Sequence, residues 1–260
     1  MVKRLMSYIF LVAMGWVFSV STAQANYGAS ICKNQGFKCV KVKKGDTWYS
    51  LFPNSRQRNI VKRLNRMNTR LRRGRTIAVP KKLSSLRLKD IAPFPAKISS
   101  SKRSKVFVNQ KELAWGAYSP RGNLVKWGPM SGGRSYCADI KENCSTPSGT
   151  FVVFRKEGAD CESGTFPVKT NGGAPMPYCT FFNGGIAFHG SSEVPGHHAS
   201  HGCIRMYTED ARWLNTSFVK LGSTKVYVDR GLPGMRTYSS WDLVPGGSSK
   251  KGAIEEFVWH

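Results

Sequence analysis

The cysteines constrain the fold of this 260-residue chain more than any other feature. Six of the seven stand in close couples that flank turn-forming residues, which predicts three local disulfides: Cys32 with Cys39, Cys137 with Cys144, and Cys161 with Cys179. Reduced, buried thiols are the alternative. Because disulfides persist outside the cytosol, the pattern favours an exported protein. Cys203 is left without a partner, and an odd cysteine in an oxidising compartment is a candidate reactive thiol.

Residues 1–25 have the pattern of a secretory signal peptide. Two basic residues precede an apolar run from Leu5 to Val20, and Ala23-Gln24-Ala25 supplies a small-x-small cleavage site. The run is shorter than the roughly 20 residues that a bilayer span needs, and an uncleaved anchor is the alternative. We therefore expect a mature protein that starts at Asn26, lacks a transmembrane anchor after cleavage, and resides in the periplasm or cell wall.

The charge distribution divides the rest of the chain. Residues 26–105 contain 22 Lys and Arg against two acidic residues, a net charge of +20, whereas residues 106–260 contain 16 against 13, a net charge of +3. Such basic density can engage nucleic acid, but an exported protein seldom meets it, so no nucleic-acid partner is expected. Anionic wall or envelope polymers would suit the same charge, and a solvated basic face is the simplest alternative.

Composition also predicts where the smaller segments lie. Residues 26–39 form a disulfide-linked N-terminal segment, residues 81–105 a basic linker rich in Ser and Pro, and residues 231–260 a C-terminal tail rich in Gly, Pro and Ser. We expect the linker to be mobile or laid along the surface. The parts on either side of it should then be separable.

Residues 40–80 have the order strand, helix, helix, strand, with apolar residues at helical spacing in the middle. This small α+β (βααβ) pattern resembles a LysM module, which binds N-acetylglucosamine polymers such as peptidoglycan. The matching residues are Val42 to Thr47, Leu64-Asn65, Leu71, Gly74 and Ile77 to Pro80. The resemblance implies that residues 40–80 bind peptidoglycan glycan.

Residues 106–230 are predicted to be mainly β with few helices. Short β-branched or aromatic runs alternate with turns, which is typical of a β-sandwich or small barrel; the runs are 106–108, 112–118, 124–127, 149–154, 185–188 and 225–228. One helix should follow Tyr207, because Thr208 can cap it and Glu209 and Asp210 lie in its first turn.

Reactive groups concentrate between Ser200 and Met206. A thiol attacks as its thiolate, so it needs a base or a nearby positive charge. His201 and Arg205 each lie two residues from Cys203 and share its face in an extended segment. His189 follows an apolar strand and is a second candidate for the base. Spacing alone does not choose between the two histidines.

Simpler readings compete with catalysis at this site. A lone cysteine is more often a small buried apolar residue, and a lone histidine more often a structural group. Histidines 189, 197, 198 and 201 beside Cys203 also fit the ligand types of a zinc site. Neither an H-E-x-x-H nor a paired-cysteine motif is present, however, so we expect no metal.

The combined pattern resembles the YkuD-type L,D-transpeptidase catalytic domain. His189-Gly190-Ser191, followed by Ser200-His201-Gly202-Cys203-Ile204-Arg205-Met206, is similar to the signature of that family. Met130 to Gly133 and Thr146 to Phe151 resemble its strand and turn segments before the active site. The resemblance covers about residues 106–228.

The resemblance implies roles for individual residues. Cys203 would be the nucleophile, His189 its base and acid, and Gly190 would lie where a backbone carbonyl orients the imidazole. The implied oxyanion and substrate pocket comprises Ser200, His201, Gly202, Arg205 and Gly190. No cofactor is required.

The implied activity is peptidoglycan L,D-transpeptidation by an exported enzyme. Cys203 would form a thioester with the third residue of a tetrapeptide stem and transfer it to an amine, giving a 3–3 crosslink or a related exchange. Two alternatives belong to other classes: a cysteine peptidase that transfers the acyl group to water, and a wall-binding protein whose LysM-like module is its whole function.

Overall fold

The computed structural model describes residues 26–230 and 233–234. The predicted signal peptide, residues 1–25, and nearly all of the predicted tail, residues 231–260, lie outside the described residues. Among the helices of the described part, none is long and apolar enough to cross a membrane.

The N-terminal part is built of short helices around a two-stranded sheet. Its elements in chain order are α1 (Tyr27–Ile31), β1 (Phe37–Lys41), α2 (Trp48–Leu51), α3 (Ser55–Leu64) and β2 (Thr76–Pro80). Strands β1 and β2 pair antiparallel. Asn54 begins α3 by accepting a hydrogen bond from the Gln57 N–H, and Thr47 and Ser50 form a capping box at α2.

The remainder forms one mixed sheet of nine strands. In chain order these are β3 (Lys105–Asn109), β4 (Ala114–Tyr118), β5 (Leu124–Ser131), β6 (Gly149–Val152), β7 (Arg155–Lys156), β8 (Thr180–Asn183), β9 (Ile186–Gly190), β10 (Ile204–Met206) and β11 (Lys225–Val228). They lie side by side in the order β6-β11-β3-β4-β5-β10-β9-β8-β7. Only Val153 and Phe154 separate β6 and β7 in the chain, although these strands lie at opposite edges, so the sheet must curl back on itself.

The prediction of a mainly β domain with few helices is therefore confirmed as a single curled sheet. The predicted helix is α4 (Thr208–Trp213), which continues as a π-helical turn, Leu214–Phe218. Short 3-10 helices lie at Leu83–Ser85, Leu88–Ile91 and Val168–Thr170. Thr208 is the first residue of α4 rather than its cap, a position that Tyr207 occupies without a side-chain bond.

All three predicted disulfides are present. Cys32 is joined to Cys39, Cys137 to Cys144, and Cys161 to Cys179, with sequence separations of 7, 7 and 18 residues. The first ties α1 to β1, and the other two close loops of the β domain. Cys203 is the free cysteine of the described chain.

The segment 81–105, predicted to be a linker that is mobile or laid along the surface, packs against the β domain through the middle of its length. Four apolar side chains in its middle are buried in the same core as β3 and β4: Leu86, Ile91, Ala92 and Phe94. Side chains of the sheet also donate hydrogen bonds to backbone carbonyls of this segment. Tyr118 Oη donates to the Pro95 carbonyl at 2.7 Å, and Trp127 Nε1 donates to the Leu88 carbonyl at 3.0 Å. The segment was predicted to be a linker because Ser and Lys dominate its composition, while only these few residues anchor it to the core.

Arginines of α3 and its C-terminal end connect the N-terminal part to the β domain. Arg63 is 5% exposed and donates from Nη1 and Nη2 to the two carboxylate oxygens of Asp210, at 2.7 and 3.0 Å. Asp210, on α4, is fully buried and also contacts Lys126 Nζ at 3.1 Å. Arg66 is fully buried and donates to the Glu112 carbonyl at 2.9 Å. Residues of both parts are buried in one shared core.

Breaking this ion pair should destabilise the whole protein. Arg63→Met is expected to lower the free energy of unfolding by about 3 kcal/mol, because Asp210 remains buried with only Lys126 as a charged partner. Arg63→Met combined with Asp210→Leu should recover most of the loss, since apolar groups often replace a buried pair at little cost. Urea denaturation followed by circular dichroism measures both. A loss of less than about 1 kcal/mol in the single variant would contradict the assigned importance of the pair.

Candidate active site

The strand register places the reactive residues on one face of the sheet. Strands β9 and β10 are parallel neighbours in which Arg205 lies opposite His189 and Ile204 opposite Phe188. Cys203 immediately precedes Ile204, so it continues this register beside Ala187. Residues two apart in a strand point to the same side. Cys203, Arg205 and His189 therefore project from the same face.

A pocket of about 960 Å³ opens over this face. It is lined by the end of β9 and the loop after it, by the residues around Cys203, and by the loop that the Cys161–Cys179 disulfide closes. Six predicted site residues line the pocket: Cys203, His189, Gly190, Ser200, His201 and Arg205. Gly202 is not among the lining residues.

His189 is buried, 6% exposed, and held through one ring nitrogen. Its Nδ1 lies 3.0 Å from the Gly190 carbonyl oxygen. Because a carbonyl only accepts, we assign the hydrogen to Nδ1, which leaves the Nε2 lone pair available. Burial chiefly, and the Arg205 charge secondarily, lower the pKa of His189 to about 4, although the Gly190 bond opposes this. The imidazole is therefore a neutral base at neutral pH.

Cys203 is half-buried, and its Sγ lies 3.6 Å from the Gly185 carbonyl oxygen. Burial raises the pKa of the thiol, and a backbone contact with Ala187 and the charge of Arg205 lower it without outweighing burial. The sequence predicted a thiol activated by a general base or by a nearby positive charge. Burial favours a neutral thiol and a neutral imidazole in the same pocket, so the thiol needs a proton acceptor when it attacks.

The bend before Cys203 depends on Ser200 and Gly202. Ser200 Oγ donates to the Cys203 carbonyl at 2.5 Å and accepts from the Gly202 N–H at 3.1 Å. Gly202 has φ 119°, which L side chains rarely adopt, and its carbonyl accepts from Thr146 Oγ1 at 2.7 Å. The N–H of Gly202, a residue of the implied oxyanion and substrate pocket, is thus already used within the bend. Both residues visibly shape the backbone that presents Cys203.

His201 joins the two disulfide-closed loops of the β domain. Its Nε2 lies 2.7 Å from Asp139 Oδ2 and 3.2 Å from Arg134 Nη2, and its ring stacks on Phe166 with centroids 4.2 Å apart. Asp139 lies within the Cys137–Cys144 loop, and Phe166 within the loop closed by Cys161 and Cys179. His201 is thus engaged in holding the two loops together.

The histidines do not form the metal site that was considered as an alternative. His198 Nδ1 accepts from the Gly132 N–H at 3.2 Å, away from the Asp139 contact of His201. Within the described residues, the triplets of ligand-type side chains close enough to hold an ion are Cys137 with Cys144 and His201, and Glu157 with Cys161 and Cys179. The sulfurs in both triplets belong to disulfides and are not thiolate ligands.

Sequence reasoning missed the residues that hold the pocket in shape. Thr146 is 2% exposed and donates a hydrogen bond to the carbonyl of Gly202, which lies 56 positions further along the chain. Glu193 Oε2 lies 3.4 Å from Arg205 Nη1. Asp139 and Phe166 reach His201 from separate loops. None of these contacts follows from local spacing. The cysteine couples were the available signal, because they fix the loops that carry two of these residues.

The alkylation rate of Cys203 should reveal a thiol that ionises only at alkaline pH. With iodoacetamide, the midpoint is expected above the ordinary cysteine value, because burial raises the pKa of Cys203. Arg205→Gln should move this midpoint to still higher pH, because the positive charge of Arg205 stabilises the thiolate and the variant lacks it. Mass spectrometry of the Cys203 peptide against pH measures the rate. A midpoint below about 7 would indicate a resting thiolate and contradict this assignment.

Several solved structures are similar to this chain. An L,D-transpeptidase (residues 123–326) from Xylanimonas cellulosilytica is 25% identical, with 61% of this chain and 73% of that chain covered and a TM-score of 0.46. An L,D-transpeptidase from Stackebrandtia nassauensis is 20% identical, with 53% and 60% covered and a TM-score of 0.40. One from Mycobacterium smegmatis is 20% identical, with 48% and 58% covered and a TM-score of 0.39. The similarity thus spans less than two thirds of the second and third proteins. A comparison with curated proteins found no match.

A protein-family comparison covers the whole curled sheet. Residues 103–228 match the YkuD family, described as the L,D-transpeptidase catalytic domain. The matched stretch begins just before β3 and ends with β11, and it contains α4, His189 and Cys203. Residues 103–228 are therefore similar to the L,D-transpeptidase catalytic domain of the YkuD family.

Proposed function

We propose that this protein is an exported peptidoglycan L,D-transpeptidase in which Cys203 forms the acyl-enzyme. The observation that carries the proposal is the joint placement of Cys203 and His189 on one pocket of the matched domain. The free thiol supplies a nucleophile, and the bond from His189 Nδ1 to Gly190 leaves Nε2 to move its proton.

The first half-reaction forms a thioester. Cys203 Sγ attacks the carbonyl carbon at the L-centre of the third stem residue, and the thiol proton passes to His189 Nε2. Because burial lowers the pKa of His189 to about 4, its protonated form gives up the proton more readily than an ordinary imidazolium. It gives the proton to the nitrogen of the terminal D-amino acid as the C–N bond breaks. The free D-amino acid leaves and the acyl group stays on sulfur.

The second half-reaction transfers the acyl group to an amine. The amine nitrogen of a second stem attacks the thioester carbonyl, His189 takes its proton, and the C–S bond breaks. The sulfur leaves as thiolate and recovers the proton from His189, which restores the neutral pair. A lysine side chain or a free D-amino acid would react in the same way. Water in place of the amine gives a carboxypeptidase, the alternative activity.

The disulfides support the exported location. Three disulfides within one chain require an oxidising compartment to persist, and two of them close the loops that meet on His201 at the pocket. A substrate in the cell wall is consistent with that location. The signal peptide proposed for residues 1–25 would deliver the protein there.

The LysM-like segment, residues 40–80, is proposed to hold the enzyme on peptidoglycan. Its strand, helix, helix, strand order is present between β1 and β2. Two backbone hydrogen bonds hold two basic turns next to each other. The Val42 N–H donates to the Arg75 carbonyl and the Gly74 N–H donates to the Val42 carbonyl, both at 2.8 Å. The four exposed side chains of these turns form what we term the basic patch: Lys43, Lys44, Arg72 and Arg73. Anionic wall or envelope polymers are the matching partners.

Removing the thiol should abolish acylation without unfolding the protein. Cys203→Ala is expected to give no adduct with a carbapenem and to lower turnover of tetrapeptide stems by at least about 1,000-fold, because no other group replaces the nucleophile. His189→Ala should lose about 100-fold or more, and His201→Ala clearly less. Intact-protein mass spectrometry and chromatography of the products measure these effects. An adduct on Cys203→Ala would overturn the assignment of the nucleophile. A greater loss of activity in His201→Ala than in His189→Ala would overturn the assignment of the base. If only tripeptide is released in the presence of amines, the peptidase alternative is favoured.

The basic patch should contribute the salt-sensitive part of wall binding. Replacing all four patch residues by Ser is expected to weaken sedimentation with peptidoglycan sacculi about tenfold at low salt, since each exposed charge contributes a few tenths of a kcal/mol. Binding that persists at high salt would then measure the sugar component. The matched control replaces four other exposed basic residues by Ser and removes the same charge: Lys81, Lys82, Lys102 and Arg103. Equal weakening in the control would show that net charge, not this patch, is responsible.

A further inference from the structure

One wall of the pocket is the short loop that follows β9, Ser191 to Gly196, which we term the wall loop. Ser191, Ser192 and Glu193 line the pocket directly. Glu193 Oε2 lies 3.4 Å from Nη1 of Arg205, which also lines the pocket. The position of the wall loop therefore determines both the shape of this side of the pocket and the charged partner that Arg205 meets.

Asn68, in the N-terminal part, makes three hydrogen bonds to the wall loop. Its backbone N–H donates to the Val194 carbonyl at 2.9 Å. Its side-chain Oδ1 accepts from the Val194 N–H at 2.9 Å, and its Nδ2 donates to the Ser191 carbonyl at 2.8 Å. The amide thus satisfies a donor and an acceptor of the loop backbone at once, as a neighbouring strand would.

Other residues of the N-terminal part extend this contact along the wall loop. Arg75 Nη1 donates to the Pro195 carbonyl at 3.1 Å, and the Tyr27 N–H donates to the Gly196 carbonyl at 3.1 Å. Met67 and Pro195 form an isolated β-bridge. The carbonyls of residues 191, 194, 195 and 196 therefore all accept hydrogen bonds from residues that precede the matched domain.

The β domain itself holds the wall loop at its first residue. The Ser191 N–H donates to the Met206 carbonyl at 2.8 Å, and inside the loop the Glu193 N–H donates to Ser191 Oγ at 3.0 Å. Gly196 has φ 80°, a conformation that favours glycine, where the loop turns toward His197. Without the N-terminal contacts, the backbone groups of Val194 to Gly196 would have to pair with water, and a loop held so weakly opens easily.

We propose that Asn68 is a positioning residue of the active site, which fixes the wall loop and so the substrate-binding side of the pocket from outside the YkuD domain. The proposal builds on the transpeptidase function proposed above. It makes the N-terminal part a structural component of the pocket as well as a wall-binding unit. Its effect should fall on substrate binding, because Asn68 contacts the loop and does not reach Cys203 or His189 through any of its three bonds.

The test compares Asn68→Ala with a matched variant of the same interface. Tyr207→Phe removes a buried hydrogen bond from Tyr207 Oη to the Met67 carbonyl, at 2.7 Å, beside Asn68 but not to the wall loop. Both variants are full chains, and both should lose similar thermal stability. Asn68→Ala is expected to raise KM for a soluble tetrapeptide donor about tenfold, with kcat changed less than about threefold. Tyr207→Phe should change neither, and Asn68→Asp, which keeps the acceptor for the Val194 N–H, should fall between.

Amide hydrogen exchange of Ser191 to Gly196 provides a readout that needs no turnover. Exchange in this loop should accelerate in Asn68→Ala and remain close to wild type in Tyr207→Phe. If both variants lose stability equally and neither raises KM nor accelerates exchange in the loop, Asn68 is merely structural and the proposal is wrong. A fall in kcat at unchanged KM would also overturn it. If the wild-type protein turns over no stem peptide, the proposed function fails, while the exchange data still decide whether Asn68 holds the loop.

Discussion

The ion pair between Arg63 and Asp210 is the contact on which the arrangement of the two parts depends. Asp210 lies in the first turn of α4, and only Tyr207 separates α4 from β10, the strand that follows Cys203. Arg63 lies near the end of α3, and the chain beyond it carries Asn68 to the wall loop. Removing either of these two charges would leave the other one buried without its closest partner, which is costly. One buried pair therefore sets the position of the N-terminal part relative to both sides of the pocket.

Local patterns were sufficient to predict the disulfides and several strands. Lys225–Val228 forms a strand over the predicted residues, because β-branched and aromatic residues alternate there with no competing helical spacing. The cysteines of each couple are near neighbours in sequence, so short loops can join them. Cys203, Arg205 and His189 meet because the parallel register aligns two short strands. That register is a property of the sheet, and the sequence indicated it only through its resemblance to a known signature.

The role of the arginines could not be read from composition. A solvated basic face and a set of buried anchors contain the same residue types, and Arg63 and Arg66 differ from Arg72 and Arg73 only in the partners that the fold brings to them. Arg63 contacts Asp210, which lies 147 positions away in the chain, and Arg66 contacts Glu112, which lies 46 positions away. Similarly, the residues 81–105 look like a linker because Pro93 and Pro95 exclude regular structure, while Phe94 between them is buried. Irregular backbone is not the same as mobile backbone.

The raised pKa of Cys203 also affects how the thiol would survive in an oxidising compartment, the kind in which the three disulfides of this chain persist. Peroxides and disulfides are attacked by the thiolate, so a thiol that stays protonated at neutral pH reacts slowly with both. The burial that deprives Cys203 of intrinsic reactivity thereby protects it from sulfenic acid formation and from exchange with the three disulfides of its own chain. In the mechanism proposed above, His189 would remove this proton as the thiol attacks an acyl donor in the pocket. Under the proposed function, burial would thus preserve the nucleophile of the resting protein in an oxidising compartment.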